Sequence, residues 1–222
     1  MRFQFQNRAE AGRLLAAKLE DYAGRDGVIV LGLPRGGVPV AFEVAAKLKA
    51  PLDVFLVRKL GLPGHEELAL GAVASGGLCV FNDSLVISCN VPRRVLDDII
   101  ARERKELKKR ELAYGRDEPP ALRGRTVILV DDGLATGATM RAAVQAVRQQ
   151  QPVQIVAAVP VAARETLDQL RPEVDAAVCV HAPEQFSAVG EWYADFGQTA
   201  DEEVRELLQK ARLEMRSSPS AN

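Results

Sequence analysis

Short apolar segments alternate with helix-like segments along this sequence, and the alternation restricts the possible folds more than any other feature. The apolar segments read VIVLGL, LDVFLV, TVILV, VQIVAAV and AAVCV and occupy 28–33, 52–57, 126–130, 153–159 and 176–180. Helical spacing of apolar residues predicts helices between them, at about 38–48, 138–149 and 163–170. Because parallel strands need a crossover connection, and a crossover helix covers a face of the sheet, this order predicts an α/β fold with an open, mostly parallel sheet flanked by helices.

The composition indicates that the chain can form its own core and has no overall charge bias. Of 222 residues, 47% are hydrophobic, which suits a single domain over 1–222. The 29 basic and 30 acidic side chains give a formal net charge of -1, so the whole chain carries no electrostatic footprint for nucleic acid or an anionic membrane. The three cysteines show no Cys-x-x-Cys spacing, and no apolar stretch is long enough to span a bilayer. We therefore predict a cytoplasmic protein without membrane contact.

Two segments between the second and third apolar runs extend this frame. The first, at about 59–90, joins a polar, glycine-bearing loop (about 58–67) to short β-like pieces, LGAVA, LCVF and LVIS, and is predicted to form a small flap. The second, at about 92–114, is a charged helix in which nine Lys or Arg accompany five Asp or Glu between Arg93 and Arg116. It is predicted to be an amphipathic helix of a hood or of a dimer contact. An RNA-binding face is the alternative, disfavoured because the patch lacks aromatic residues for stacking.

The third apolar segment leads into the most specific motif, VILVDDGLATGATM. Ligands of open parallel sheets bind at the carboxyl ends of the strands, and this strand ends in Asp131 and Asp132. Small residues and the hydroxyls of Thr136 and Thr139 then lead into a helix, whose N-terminal amides can bind an anion. The carboxylates suit sugar hydroxyls or a hydrated cation. The loop therefore predicts a site for a phosphorylated sugar, with ordinary helix capping as the alternative explanation.

Other phosphate-related domains fit the sequence less well. The receiver domain of two-component signalling also carries paired aspartates after an apolar strand, but there the pair follows the first strand and a phosphoacceptor Asp ends a later one. Here the pair lies in mid-chain, and the later run AAVCV continues into His181. Neither a Walker A motif nor G-x-G-x-x-G occurs, which disfavours sites for nucleoside triphosphates and dinucleotides.

The motif VILVDDGLATGATM resembles the phosphoribosyl pyrophosphate (PRPP) signature of type I phosphoribosyltransferases. The match consists of four apolar residues, two acidic residues, two further residues and a small-Thr-Gly-x-Thr cradle. Gly133 departs from the pattern, where an aliphatic residue is more usual. The resemblance implies that Asp131 and Asp132 bind the ribose hydroxyls. It also implies that the 5-phosphate is held by Ala135, Thr136, Gly137, Ala138 and Thr139.

Two more strand ends resemble the same family. LGLPRGG is similar to the loop in which backbone amides approach pyrophosphate, because Gly36 and Gly37 permit a close approach and Arg35 adds charge. VRKLGLPG contains Arg58 and Lys59 and is similar to the start of a flap that closes over pyrophosphate and excludes water. Both loops are closest to those of adenine phosphoribosyltransferase. No general base is assigned; the candidate proton acceptors on the flap are His65, Glu66 and Glu67.

The segment that would bind the acceptor base matches the family more loosely. The segment PEQFSAVGEWYADF, 183–196, resembles the base-binding end of hypoxanthine-guanine phosphoribosyltransferases, so we predict a base-side hood at about 183–200. The resemblance implies that the base stacks on Phe186, Trp192 or Tyr193. It also implies that Asp195 approaches the cation. Two departures matter: VPVAARE lacks the lysine that reads the purine oxo group, and Ala135 replaces the acidic base of the cradle.

Together the motifs predict an enzyme of nucleotide metabolism. It would be a phosphoribosyltransferase that moves the phosphoribosyl group from PRPP to a nitrogenous base and releases pyrophosphate. A purine-like base is favoured as the acceptor. The resemblance implies Mg²⁺, approached through water by Asp131, Asp132 and Asp195. We also expect a homodimer and no binding of nucleic acid. The alternative is a non-catalytic sensor of PRPP or nucleotide on the same fold, with RNA as its partner. An enzyme that makes PRPP would need an ATP site, and the sequence contains no motif for one.

Overall fold

The computed structural model describes residues 3–62, 64–115 and 118–217, with backbone alone at 66–67 and 216–217. The strands in these residues are β1 (Val28–Gly32), β2 (Leu52–Val54), β3 (Val57–Leu62), β4 (His65–Ala74), β5 (Leu78–Phe81), β6 (Thr126–Val130), β7 (Gln154–Val161) and β8 (Ala176–His181). The α-helices are α1 (Arg8–Ala17), α2 (Gly37–Leu48), α3 (Asp83–Ser88), α4 (Arg93–Ala113), α5 (Ala138–Gln149), α6 (Arg164–Leu170) and α7 (Asp201–Ser217).

Five strands form a parallel sheet in the order β2-β1-β6-β7-β8. This confirms the predicted fold class, an open, mostly parallel sheet flanked by helices. Gly32 at the end of β1 lies opposite Val130 at the end of β6. The loops that follow these two strands therefore start side by side, although about a hundred residues separate them in the chain.

Alternate residues of the central strands face opposite layers of helices. Val30 and Ile128 pack with α1, α2 and α7, whereas Leu31 and Leu129 pack with α5 and α6. All four side chains are fully buried. Burial on both faces explains why these strands are continuous apolar runs in the sequence instead of alternating apolar and polar residues.

The predicted flap region forms a separate antiparallel sheet of β3, β4 and β5. The prediction of a polar loop at about 58–67 is wrong, because β3 and β4 pair as a hairpin there and bury Leu60 and Leu70. The prediction of a β-like piece at LVIS is also wrong. The side chain of Asn82 accepts a hydrogen bond from the amide of Leu85 at 3.2 Å and so caps α3 instead.

The predicted charged helix is present as α4 and packs on the small sheet. Its apolar stripe of Leu96, Ile99 and Leu107 is buried, and two acidic side chains, Glu103 and Glu111, are buried as well. The other charged residues of α4 face outward. Across the part of the chain that the structure describes, no helix is both long enough and apolar enough to cross a membrane.

Candidate functional site

The glycine turn after β1 packs directly against the end of β6. A Cβ on Gly37 would lie 2.6 Å from the carbonyl oxygen of Val130 and 2.8 Å from the Cα of Asp131. A Cβ on Gly36 would overlap the carboxylate of Asp132. Glycine is required for this approach because any side chain would meet backbone or carboxylate atoms. The structure thus brings together the glycine turn and the aspartate pair, two elements that the sequence predicted separately.

The two carboxylates at the end of β6 have different partners. Oδ1 of Asp131 accepts a hydrogen bond from the backbone amide of Asp132 at 2.9 Å. Oδ2 of Asp132 accepts one from Nε of Arg8 at 2.9 Å, and Nη2 of Arg8 lies 2.8 Å from the same oxygen. Burial, reinforced by the charge of Asp132, raises the pKa of Asp131 well above its ordinary value. Burial also raises the pKa of Asp132, and the Arg8 guanidinium opposes that rise.

The loop after the carboxylates turns into the N-terminus of α5. Gly137 has a φ of 73°, a left-handed conformation that lets the chain turn immediately before the helix. Behind the loop, Oγ1 of Thr166 donates a hydrogen bond to the carbonyl oxygen of Ala135 at 2.7 Å. Thr136 and Thr139 are exposed on the other side. The amide of Ala138 donates a long hydrogen bond to Oγ1 of Thr136 at 3.5 Å. Backbone amides at a helix N-terminus and exposed hydroxyl groups are the kinds of partner that a phosphate group needs.

The predicted pyrophosphate-binding residues do not converge on one point. Arg35 is half-buried in the turn after β1, where the Pro34-Arg35 peptide bond is cis. Arg58 and Lys59 face opposite sides of the small sheet, because side chains alternate along a strand. Nε of Arg58 lies 2.7 Å from Oε2 of Glu103, so Arg58 faces α4. Lys59 faces α5 and lines a cavity of about 500 Å³ between that helix and the small sheet.

The hood segment, 183–200, is joined to the beginning of the chain and to the carboxylate loop. The amide of Phe5 donates a hydrogen bond to the carbonyl oxygen of Trp192 at 2.8 Å. The hydroxyl of Tyr193 donates one to the backbone carbonyl oxygen of Asp132 at 2.6 Å. Burial raises the pKa of Tyr193, so the hydroxyl stays protonated and remains a donor. These bonds fix the hood relative to the aspartate pair.

The three aromatic residues predicted to stack a base differ in exposure. Trp192 and Tyr193 are each 4% exposed and pack in a small cluster with Phe5 and Ala11. Phe186 is half-buried at the edge of that cluster, with its ring centre 6.4 Å from that of Trp192. Protein atoms therefore cover the rings of Trp192 and Tyr193, whereas Phe186 retains open ring surface.

Among the described residues, Asp195 and His65 make no hydrogen bond with the aspartate pair. The carboxylate of Asp195 accepts a hydrogen bond from the backbone amide two residues later at 3.1 Å and lines a groove with Arg8. His65 is exposed on β4, and the side chains of Glu66 and Glu67 lie outside the described residues. Within the described ranges, no group of three or more His, Cys, Asp or Glu side chains could hold a metal ion.

Comparison with known proteins bears on the same loops. A family model described as "Phosphoribosyl transferase domain" matches residues 4–190, which include both strand-end loops, the small sheet and the first part of the hood. The chain belongs to the phosphoribosyl transferase family. The family membership predicted from VILVDDGLATGATM is thereby confirmed, and the assignment of its residues to PRPP stays a prediction.

Similar proteins include two curated Mycobacterium tuberculosis proteins and one solved structure. "Putative phosphoribosyl transferase Rv0571c" of strain H37Rv is 44% identical over 209 residues, which cover 93% of this chain and 47% of the relative. "Putative phosphoribosyl transferase MT0597" of strain CDC 1551 matches to the same extent. The crystal structure of TT1426 from Thermus thermophilus shares 45% identity at a TM-score of 0.83, covering 94% of this chain and 99% of that chain. The chain thus spans about half the length of the curated relatives it matches.

Two residues that contact the predicted site residues were not themselves predicted from the sequence. Arg8 lies 124 positions before Asp132, and no local motif marks it. Glu103 is different, because it lies four residues after Ile99 and four before Leu107, within the buried stripe of α4. An acidic residue in an apolar stripe signals a buried partner, and that partner is Arg58.

Glu103→Gln is expected to destabilise the protein by about 2 kcal/mol at neutral pH, because Arg58 and Arg102 lose the carboxylate that they share. Burial alone would raise the pKa of Glu103, but hydrogen bonds and charge from the two arginines hold it below its ordinary value. The carboxylate therefore contributes stability above its unfolded pKa and loses it as pH falls through the lower folded pKa. Urea unfolding of wild type and variant should show a difference that shrinks on acidification.

Glu106→Gln is the matched control for that measurement. Glu106 lies on the same helix, has a side chain that is 43% exposed and pairs with Lys109 at 2.6 Å. We expect its urea midpoint to stay close to that of the wild type, because exposed ion pairs contribute little. Equal midpoints for the Glu103 and Glu106 variants would contradict the role assigned to the Arg58 contact.

Proposed function

We propose that this phosphoribosyl transferase moves the 5-phosphoribosyl group of PRPP to a nitrogenous base, a purine-like base being favoured, and releases pyrophosphate. One observation carries the proposal: the glycine turn, the aspartate pair and the N-terminus of α5 adjoin one another at a single edge of the sheet. Pyrophosphate requires backbone amides that an anion can approach, and the 5-phosphate requires a phosphate cradle. The ribose requires groups that accept hydrogen bonds from its hydroxyls. A simple capping loop would not need the glycine turn to press against the carboxylates.

Each element has a distinct task in the proposed reaction. The amides of the first turn of α5 and the hydroxyls of Thr136 and Thr139 bind the 5-phosphate. Asp131 and Asp132 accept hydrogen bonds from the ribose hydroxyls and so orient the reacting carbon toward the base. Arg35 and the amides of the glycine turn stabilise the negative charge that develops on the leaving pyrophosphate. A ring nitrogen of the base supplies the electron pair for the new bond, so no activated side-chain nucleophile is required.

The donor set at the aspartate pair fits a magnesium ion carried in by the substrate. Mg²⁺ prefers oxygen ligands and is usually held by one or two carboxylates together with substrate phosphates and waters. Asp131 and Asp132 could supply such carboxylates, and Asp195 could contribute through a water molecule. When bound, Mg²⁺ neutralises charge on the departing pyrophosphate.

A non-catalytic sensor of PRPP or nucleotide is the second candidate, and two observations favour it. Arg58 is already paired with Glu103, and the rings of Trp192 and Tyr193 are covered. The first feature leaves less of the Arg58 charge for a pyrophosphate group, and the second leaves less aromatic surface for a stacked base. A sensor would bind PRPP without turnover.

Several expectations from the sequence remain predictions. They are a place in nucleotide metabolism, a cytoplasmic location, a homodimer, a single domain over 1–222 and the absence of nucleic-acid binding. The activity of the full-length relatives does not decide them, because the chain corresponds to only 47% of each relative.

The test of the proposed function is pyrophosphate release from PRPP across a panel of purines, pyrimidines and related nitrogen heterocycles, with Mg²⁺ and with chelator. The control that removes the site is the double variant Asp131→Asn/Asp132→Asn. The control that leaves it intact is Asp168→Asn, whose exposed carboxylate pairs with Arg171. We expect release that depends on a base and on Mg²⁺, is lost in the double variant and is retained in Asp168→Asn.

Two other outcomes would redirect the assignment. Calorimetric binding of PRPP without release on any base would favour the sensor. Absence of PRPP binding in the wild-type protein would contradict both candidates, because each depends on the same phosphate and ribose contacts.

A further inference from the structure

Arg8 is the first residue of α1, and its guanidinium bridges two other parts of the site. Nε and Nη2 both contact Oδ2 of Asp132, at 2.9 Å and 2.8 Å. On its other side, Nη1 donates a hydrogen bond to the carbonyl oxygen of Gly197 at 2.7 Å. The guanidinium carbon lies 4.0 Å from the ring centre of Phe196, within the range of a cation-π contact. One side chain therefore joins the carboxylate at the end of β6 to the hood segment.

The environment of Arg8 differs from that of an ordinary surface arginine. The Arg8 side chain is 13% exposed and that of Asp132 is 16% exposed. Arg13 of the same helix pairs with Glu43 at 3.5 Å and is 60% exposed. A planar guanidinium with three nitrogens engaged at once fixes the direction of its partners, which an exposed ion pair does not.

We propose that Arg8 is a positioning residue: it sets the orientation of the Asp132 carboxylate toward the ribose and couples that carboxylate to the hood. The inference rests on the proposed function, because it assigns Asp132 to PRPP. Arg8 itself need not touch the ligand. Its effect on PRPP passes through Asp132, and its effect on the acceptor side passes through Phe196 and Gly197.

The geometry explains why arginine is required at this position. The two contacts to Oδ2 fix the position of that oxygen and leave Oδ1 to the ribose, and the third contact ties the hood to the same guanidinium. Lysine retains the charge but is a single point donor, so it cannot reach the carboxylate and the hood carbonyl in the same way. Glutamine loses the charge and leaves the buried carboxylate without its cation.

The experiment compares Arg8→Gln, Arg8→Lys and the matched control Arg13→Gln in the full chain. Calorimetry gives the Kd for PRPP with Mg²⁺. Acrylamide quenching of Trp192, the only tryptophan of the chain, reports access to the hood without any ligand. We expect Arg8→Gln to raise the Kd about tenfold or more, in line with the loss of a charge-assisted contact, and to increase quenching. Arg8→Lys should recover part of the affinity, and Arg13→Gln should match the wild type in both measurements.

A double-mutant cycle separates action through Asp132 from a merely structural role. If Arg8 acts through that carboxylate, Arg8→Gln/Asp132→Asn should bind PRPP about as weakly as Asp132→Asn alone. Additive losses of affinity would overturn the inference. Should Arg8→Gln fail to fold, Arg8→Lys carries the test, and wild-type affinity in that variant would overturn it equally.

The outcomes distinguish failure of this inference from failure of the proposed function. If the wild type binds PRPP and Arg8→Gln binds it as tightly as Arg13→Gln does, the Arg8 assignment is wrong while the proposed function stands. If the wild type binds no PRPP, the proposed function fails, and with it the assignment of Arg8 to the ribose. The quenching data then test whether Arg8 couples Asp132 to the hood. Unchanged quenching of Trp192 in Arg8→Gln would overturn that coupling.

Discussion

Replacement of Gly37 by alanine is expected to destabilise the protein by about 3 kcal/mol and to lower its affinity for PRPP by about a hundredfold or more. The added Cβ would lie 2.6 Å from the carbonyl oxygen of Val130 and 2.8 Å from the Cα of Asp131. Both atoms belong to the backbone at the end of a central buried strand, so no side chain can move aside to make room. The N-terminus of α2 would have to withdraw from β6, and the turn would separate from the carboxylates. Urea unfolding and PRPP calorimetry measure the two effects.

Gly124→Ala separates this clash from the general cost of replacing a glycine. Gly124 has a φ of 74°, and a Cβ there would meet no atom within 4 Å. Its replacement should cost about 1 kcal/mol of backbone strain and leave PRPP binding unchanged. A Gly37 variant that is no less stable than the Gly124 variant and still binds PRPP would show that the close packing of the turn against β6 is not required.

Features with a local sequence pattern were predicted correctly. The strand that ends before Asp131 is continuously apolar because both its faces are buried, and the helix that follows has strong helical spacing. The predicted bounds of both agree with the structure. The convergence of the two loops also followed from the sequence, because parallel strands place their carboxyl ends at one edge.

Features that depend on distant partners were not predicted. LVIS is a different kind of error: it has the composition of a strand, but a local signal, the cap from Asn82 three residues before Leu85, makes it a helix. Arg8 and Asp132 are 124 residues apart, and Arg58 and Glu103 are 45 apart. Ion pairs of this kind leave no periodic pattern, so a sequence shows the charges without showing which of them meet. The sequence also grouped Arg58 with Lys59, because it placed both residues in a loop. In β3 they are adjacent strand residues and face opposite ways.

Asp131→Asn is expected to stabilise the free protein while weakening PRPP binding by tenfold or more. Burial and the charge of Asp132 raise the pKa of Asp131, so the ionised carboxylate is unfavourable in the folded state. A carboxyl group with a raised folded pKa contributes stability below its unfolded pKa and loses it as pH rises through the folded value. Asparagine carries no charge and so removes this loss of stability, and its side-chain oxygen can still accept a hydrogen bond from the Asp132 amide. It lacks the charge that strengthens hydrogen bonds from the ribose hydroxyls: a hydrogen bond to a charged group contributes about 1.5–3 kcal/mol, against about 0.5–1.5 kcal/mol for a neutral pair.

Thermal unfolding between pH 5 and pH 8 tests the stabilisation. The midpoint of Asp131→Asn minus that of the wild type should grow with pH and reach about 4 °C, the shift that about 1 kcal/mol produces in a chain of this size. Asp132→Asn should not show this gain, because it leaves the buried Arg8 guanidinium without its carboxylate. A lower midpoint for Asp131→Asn at every pH would mean that the buried carboxylate is held by a partner outside the contacts described above. A stabilised variant that no longer binds PRPP would instead show that the protein keeps an unfavourable buried charge because the ligand requires it.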